Sequence, residues 1–184
     1  IGAYRDDSYK GSAYIFRSSD DGSSWSQAQK LTAADRYARD YFGYSVSISG
    51  NVALIGAFGA DSSKGSAYIF RGSDGGFTWS LAQKLTAADG YTNDYFGSSV
   101  SISGNVALIG AYRDDSYKGS AYIFRSADDG SSWSQAQKLT AADGYSNDYF
   151  GHSVSISGNV ALIGAYGDDS YKGSAYIFRS ADDG

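Results

Sequence analysis

Paired carboxylates are the first groups in this 184-residue chain whose type and spacing could do chemistry. They stand at Asp6-Asp7, Asp20-Asp21, Asp114-Asp115, Asp128-Asp129, Asp168-Asp169 and Asp182-Asp183. Glycoside hydrolysis uses two carboxyl groups about 5–9 Å apart across a cleft. These pairs instead lie next to Gly and Ser, where Asp side chains cap backbone N–H groups in turns. Only one Asp of each pair survives in the middle of the chain, at Asp61 and Asp74. A second oxygen-rich string, DGYTND at 89–94 and DGYSND at 143–148, has the donor types for Ca²⁺. Its first copy reads DRYARD, with Arg36 and Arg39 in place of Gly90 and Asn93. Two cations there would repel an ion, so a turn held by Asp–backbone bonds is the expected reading. His152 is the single histidine, and Tyr44 and Ser98 take its place elsewhere, so it is an incidental residue or a pH-sensitive contact. No Ser-His-Asp set can be assembled, and an enzyme is the remotest reading.

Composition narrows the classes further. The chain has a net charge of -5 and a pI of about 4.7. Phosphate neutralisation needs a basic stripe, and none exists, so nucleic acid is not an expected partner. Cysteine is absent, which excludes disulfides and thiolate metal sites. No apolar run is long enough for a membrane helix, and no signal-peptide pattern is present. Methionine is absent too, so the chain is expected to be a processed or excised piece. All twenty acidic residues are Asp, which favours turns and caps over helices. With 24 Gly and 17 Tyr, short strands joined by tight turns are expected.

These residues recur. Ile-Gly-Ala stands at Ile1, Ile55, Ile109 and Ile163, always 54 residues apart. The repeats are 1–54, 55–108 and 109–162, with a partial one at 163–184. Residues 1–54 differ from 109–162 only at Ser19, Arg36, Ala38, Arg39 and Tyr44. A fixed period of this size points to propellers, solenoids or arrays.

Each repeat divides into four segments. Ser45 to Ser49 alternates polar and apolar, as a half-buried strand does. Ser49-Gly50-Asn51 signals a tight hairpin. Val52 to Ala57 is apolar throughout and predicts a fully buried strand. After a polar loop, Ser66 to Arg71 is rich in aromatic and β-branched residues. Asp74-Gly75-Gly76 turns the chain into a weaker fourth segment, Trp79 to Thr86. The stretch Gln27 to Asp35 has helix formers, but at this length a helix would be marginal alone. The prediction is all-β, with four-stranded antiparallel meander blades of β-propeller type. In strand order the blades fall at about 41–86, 95–140 and 149–184, with 1–34 a partial blade. Propellers have about four to eight blades, so this stretch is not expected to close a ring alone.

The order Phe-Gly, Ser-Val-Ser-Ile-Ser-Gly, Ile-Gly-Ala, Gly-Ser-Ala-Tyr-Ile-Phe resembles the FG-GAP repeat. It runs from Phe42-Gly43 to Phe70, from Phe96-Gly97 to Phe124 and from Phe150-Gly151 to Phe178. The Leu-Thr-Ala-Ala-Asp and Trp before each copy are similar to the bacterial branch of that family. The resemblance implies a β-propeller, usually extracellular, as in the head of integrin α chains. Two features depart from it. The family's Gly-Ala-Pro is Gly-Ala followed by Tyr4, Phe58, Tyr112 or Tyr166. The family's calcium loop between the first two strands is here Ser-Gly-Asn, with no carboxylate, so its calcium sites are not carried over.

Phe42, Gly43, Phe96, Gly97, Phe150 and Gly151 are therefore expected to pack between blades, with the glycines allowing close backbone approach. In a meander blade, the links between strands 2 and 3 and between consecutive blades emerge on one face. They gather Tyr9, Tyr37, Tyr91, Tyr117, Tyr145 and Tyr171, with Asp94 and Asp148 beside them. Tyr is rigid and amphipathic, a good contact residue, though these rings could equally shield neighbouring loops. The expected function is an extracellular structural or adhesive repeat module. The alternative is a glycan- or protein-binding domain using this face, with Ca²⁺ as an optional aid. No catalytic residue, metal site or other cofactor is expected. Neighbouring copies, or continuation of the same chain, are expected to cover the open ends, with a filament as the result.

Overall fold

Alternation and turn chemistry place the strands. In the computed structural model, which describes residues 1–181, the chain forms four antiparallel sheets in sequence order. The first holds β1 (Gly2–Ala3), β2 (Ser12–Arg17) and β3 (Ser26–Leu31). The second holds β4 (Ser45–Ser49), β5 (Val52–Ala57), β6 (Ser66–Ser73) and β7 (Thr78–Leu85). The third repeats it with β8 (Ser99–Ser103), β9 (Val106–Ala111), β10 (Ser120–Arg125) and β11 (Ser134–Leu139). The fourth holds β12 (Phe150–Ser157), β13 (Val160–Ala165) and β14 (Ser174–Arg179). Within each sheet neighbours in sequence are neighbours in space, which is the meander of a propeller blade. The row of sheets is not closed. The Asp182-Asp183 pair lies outside the described residues.

β5 is buried along its whole length, as its apolar run requires. Gly50, at φ 55, opens the two-residue turn between β4 and β5, a position glycine adopts without strain. The fourth strands carry one extra residue: the register shifts between Ile69 and Phe70, where Gln83 and Leu81 are the successive partners. The same bulge recurs between Ile15/Phe16 and Ile123/Phe124. It breaks the alternation, which is why that segment reads weakly in sequence.

The polar loop after the second strand is more structured than its sequence suggests. Asp6–Tyr9, Ala60–Ser63, Asp114–Tyr117 and Asp168–Tyr171 each form a single helical turn. Within them the chain is left-handed: Asp115, Ser116 and Tyr117 have φ of 47, 59 and 68. Left-handed residues other than Gly cost about 1–2 kcal/mol each. Here the turn is closed by Gly119 N–H donating to the Asp114 carbonyl at 3.0 Å.

The core lies between the sheets. One cluster joins Leu54, Ala67, Ile69 and Leu85 of the second sheet to Phe96, Val100, Ile109 and Phe124 of the third. Phe96 meets Tyr122 edge-on at 5.4 Å and Phe124 at 6.0 Å. Phe42 and Phe150 repeat these contacts. All three rings are buried.

Polar groups lock the same interfaces. The Ser47 hydroxyl accepts from Ile102 N–H at 3.1 Å, and Ser101 accepts from Ile156 N–H at 3.0 Å. Gln83 both donates to the Trp133 carbonyl (2.9 Å) and accepts from Trp133 N–H (2.7 Å). Gln29 does the same to Trp79.

Both outer faces of the row remain apolar and open. Leu162 is 45% exposed and Ile177 72%, where their counterparts Leu54 and Ile69 are fully buried. At the other end Ile1, Val46 and Ile48 are exposed, beside a cavity of about 530 Å³.

Candidate functional site: a tyrosine-lined loop face

The links between blades and the left-handed turns meet on one face. Backbone N–H of Tyr41, Tyr95 and Tyr149 donates to the carbonyls of Tyr9, Ser63 and Tyr117, at 3.0–3.1 Å. Isolated parallel bridges, Gly11–Phe42, Gly65–Phe96 and Gly119–Phe150, continue the contact. Each link is thereby fastened to the turn of the preceding blade.

Tyr37, Tyr91 and Tyr145 project furthest, at 76%, 74% and 76% exposed. The sequence grouped Asp94 and Asp148 with them as ligand contacts. Both carboxylates are buried, and they accept from the N–H of Tyr91 and Tyr145 three residues back. Asp40 holds Tyr37 in the same way, at 2.6 Å. Short Asp side chains reach a nearby backbone N–H more easily than a ligand, so they position the tyrosines. Burial pushes the Asp94 carboxyl above its ordinary value despite the hydrogen bond from Tyr91.

Tyr9, Tyr117 and Tyr171 are also exposed, but they join a band of rings that sequence reasoning did not single out. Tyr41 stacks on Phe58 at 4.7 Å with 5° between planes, and Tyr149 stacks on Tyr166 at 4.7 Å and 3°. Tyr95 and Tyr112 meet edge-on at 5.7 Å, and the Arg113 guanidinium lies 4.2 Å from the Tyr95 ring centre. Tyr9, Tyr117 and Tyr171 touch this band through Tyr41, Tyr149 and Tyr166. His152 joins it at the exposed surface, 5.2 Å from Tyr112 and 4.6 Å from Tyr166, and partial burial against these rings lowers its pKa. The signal was present in sequence. An aromatic residue follows every Ile-Gly-Ala, and a Tyr precedes every Phe-Gly.

Beneath the face, each interface holds a charged cluster. The Tyr122 hydroxyl shares its one proton between Asp89 at 3.0 Å and Asp114 at 3.2 Å. Lys138 Nζ lies 2.6 Å from both carboxylates. Tyr68, Asp35, Asp61 and Lys84 repeat the pattern one blade earlier. Burial disfavours the charge on Asp89, but hydrogen bonds from Lys138 and Tyr122 outweigh it and hold its pKa below the ordinary value. Burial raises the Tyr122 pKa, and the two carboxylates raise it further.

The hairpin Ser49-Gly50-Asn51 supplies no carboxylate, so it does not fit the family's calcium loop. Among the described residues no group of three or more acidic or histidine side chains converges as a metal centre. Nor is any described helix long and apolar enough to cross a membrane.

Four meander sheets with interlocking Phe-Gly and Gly-Ala positions define a β-propeller-type repeat protein. The FG-GAP repeat family matches residues 25–70, 79–124 and 133–178, and the chain belongs to that family. Each match begins at a Trp in or beside a fourth strand and ends at the Phe of the next blade's third strand. A comparison with curated proteins gives no match. Among solved structures, the crystal structure of Saccharomyces cerevisiae Sqt1 is similar, at 15% identity and a TM-score of 0.46. The alignment covers 88% of this chain, which spans 40% of the length of that one.

Proposed function

We propose that this chain is a non-catalytic adhesive module that works outside the cell, presenting one tyrosine-lined face to a protein or glycan partner. The observation that carries the reading is the recurrence of Tyr37, Tyr91 and Tyr145. They are equally exposed, and each is held by a buried Asp three residues on. Rigid, exposed aromatic rings suit contact at low entropic cost. Membership of the FG-GAP repeat family and near-identity of the repeats support a surface role, since an active site breaks the symmetry of its scaffold.

The same reading extends to the two open faces. Inside the row, Leu54 and Ile69 of one blade pack on Val100 and Ile109 of the next. Leu162 and Ile177 stand at the first kind of face, and Ile1 and Val46 at the second. Continuation of the same chain, or a second copy joined head to tail, is the proposed occupant. Such a heterologous contact gives a filament when its rotation does not close.

Beads coated with the protein test the adhesive reading, offered to printed glycans and to a layer of the same protein. Attachment to either supports it. Attachment to neither, or turnover in a hydrolase and lyase screen that one Asp substitution abolishes, overturns it.

A further inference from the structure

Arg36 occupies a seat that its own repeat builds. Its Nη1 donates to the Gly11 carbonyl at 2.7 Å and reaches Ser12 Oγ at 3.5 Å, while Nη2 pairs with Asp7 at 3.3 Å. Lys10 shares the same Asp7 carboxylate at 3.4 Å. The guanidinium thus meets a carbonyl, a hydroxyl and a carboxylate at once, a set suited to its fixed fork of donors.

One period of two repeats later, every group of that seat returns except the arginine. Gly119, Ser120, Asp115 and Lys118 stand for Gly11, Ser12, Asp7 and Lys10, and Gly144 stands for Arg36. The supporting pairs return as well. Ser120 donates to Asp114 at 2.6 Å as Ser12 donates to Asp6 at 2.7 Å, and Lys118 pairs with Asp115 at 3.1 Å. What remains is a cavity of about 160 Å³, lined by Asp115, Lys118, Gly119, Ser120, Lys138 and Gly144. Around it Asp89, Asp114 and Asp115 face Lys118 and Lys138, which leaves one negative charge uncompensated.

We infer that this cavity is a binding site for a guanidinium, supplied by an arginine side chain of a protein partner. Asp115 would take its charge, with the Gly119 carbonyl and Ser120 hydroxyl accepting beside it, as their counterparts do for Arg36. The cavity lies among the loops that carry Tyr117 and Tyr145, so the choice of a protein partner rests on the proposed contact role of that face.

The intervening repeat supplies an internal control. Gly90 also replaces the arginine there, beside a cavity of about 620 Å³. But Ala60 stands where Asp114 would be, and Asp61 is drawn to Lys84 (3.0 Å) and Ser66 (3.1 Å) instead. Two partners hold the Asp61 carboxylate, against Lys118 alone on Asp115, so no arginine preference is expected at Gly90.

The test is titration of the whole protein with the peptides acetyl-Gly-Arg-Gly-amide and acetyl-Gly-Lys-Gly-amide, read by amide shifts in nuclear magnetic resonance. The arginine peptide should move Asp115, Gly119 and Gly144 and leave Asp7, Gly11 and Gly90 in place. The lysine peptide should move none of them. Gly144→Arg should abolish the response by filling the seat. Gly144→Ala should retain it, because the added Cβ comes no closer than 3.3 Å to the Ala141 carbonyl. Arg36→Gly should create the same response at Gly11. Equal response to both peptides, response confined to Gly90, or an unchanged response in Gly144→Arg overturns the inference. Binding of the peptide with failure of bead adhesion would leave the site standing and refute the adhesive role alone.

Discussion

Gly56 and Gly97 meet across a blade boundary so closely that a Cβ on Gly56 would stand 2.0 Å from the Gly97 carbonyl oxygen. Gly110 stands in the same relation to Gly151. Gly97 itself, at φ 84, would place a Cβ 2.3 Å from the Ser66 carbonyl. The Gly of Ile-Gly-Ala and the Gly of Phe-Gly are thus one feature, the point where two blades touch backbone to backbone. Gly56→Ala should cost about 3 kcal/mol, the upper end for overpacking, because neither backbone can yield. Gly50→Ala, at φ 55 with nothing within 4 Å, should cost only about 1 kcal/mol of backbone strain. Urea unfolding midpoints of the two variants check the contrast.

Lys138 joins Asp89 to Asp114, and its removal should be felt most near neutral pH. The Asp89 pKa is depressed in the folded chain, so its contribution is present above the unfolded value of 3.8 and is lost as pH falls through the folded value. Lys138→Met should lower stability by about 1–2 kcal/mol at pH 7, a figure reduced for the half-exposed Asp89. The difference from the parent should shrink below pH 4 as Asp89 protonates. Unfolding curves across that range measure it.

His152 should give a slope of opposite origin. Its folded pKa lies below the ordinary 6.5 because burial disfavours the cation. The neutral ring's contribution is complete above 6.5 and declines as pH falls from there toward the folded value. His152→Ser, the residue of the preceding repeat at Ser98, should flatten melting temperature against pH between about 7 and 5. An unchanged slope would assign it to other groups.

In the 184-residue chain taken by itself, Leu162 and Ile177 should drive association. Covering what each still exposes is worth about 1–2 kcal/mol, and head-to-tail contact covers both. Light scattering should show oligomers, and electron microscopy rods with a blade-scale repeat. The Leu162→Asp, Ile177→Asp double variant should be monomeric with an unchanged circular dichroism spectrum. Discs of a single size would contradict filament growth.

Strand positions were legible because Ser45 to Ser49 and Val52 to Ala57 carry their burial in their residue types. What the serines do was not. A hydroxyl on the polar face of β4 reads as solvated, and only the stacking of β8 beside it shows Ser47 accepting from Ile102 N–H. Gln83 lies in the segment that reads weakly as a strand, yet its amide is clamped to the Trp133 backbone. The left-handed turns were hidden because Asp115-Ser116-Tyr117 contains no Gly to announce positive φ. The exposed position of Tyr37, Tyr91 and Tyr145 on the loop face was legible from topology alone. That Asp94 and Asp148 accept from the N–H of Tyr91 and Tyr145 was not legible, because sequence does not tell a carboxylate that faces a ligand from one that caps a turn.

The central claim is that the tyrosine face makes the contact, and a graded series tests it most directly. Tyr37→Ala, Tyr91→Ala and Tyr145→Ala, singly, in pairs and together, are compared for bead attachment to the surface that holds the parent. All three rings are exposed, so melting temperatures should hold. Attachment should fall stepwise with each ring removed and vanish in the triple variant. Full attachment by a folded triple variant would contradict the account.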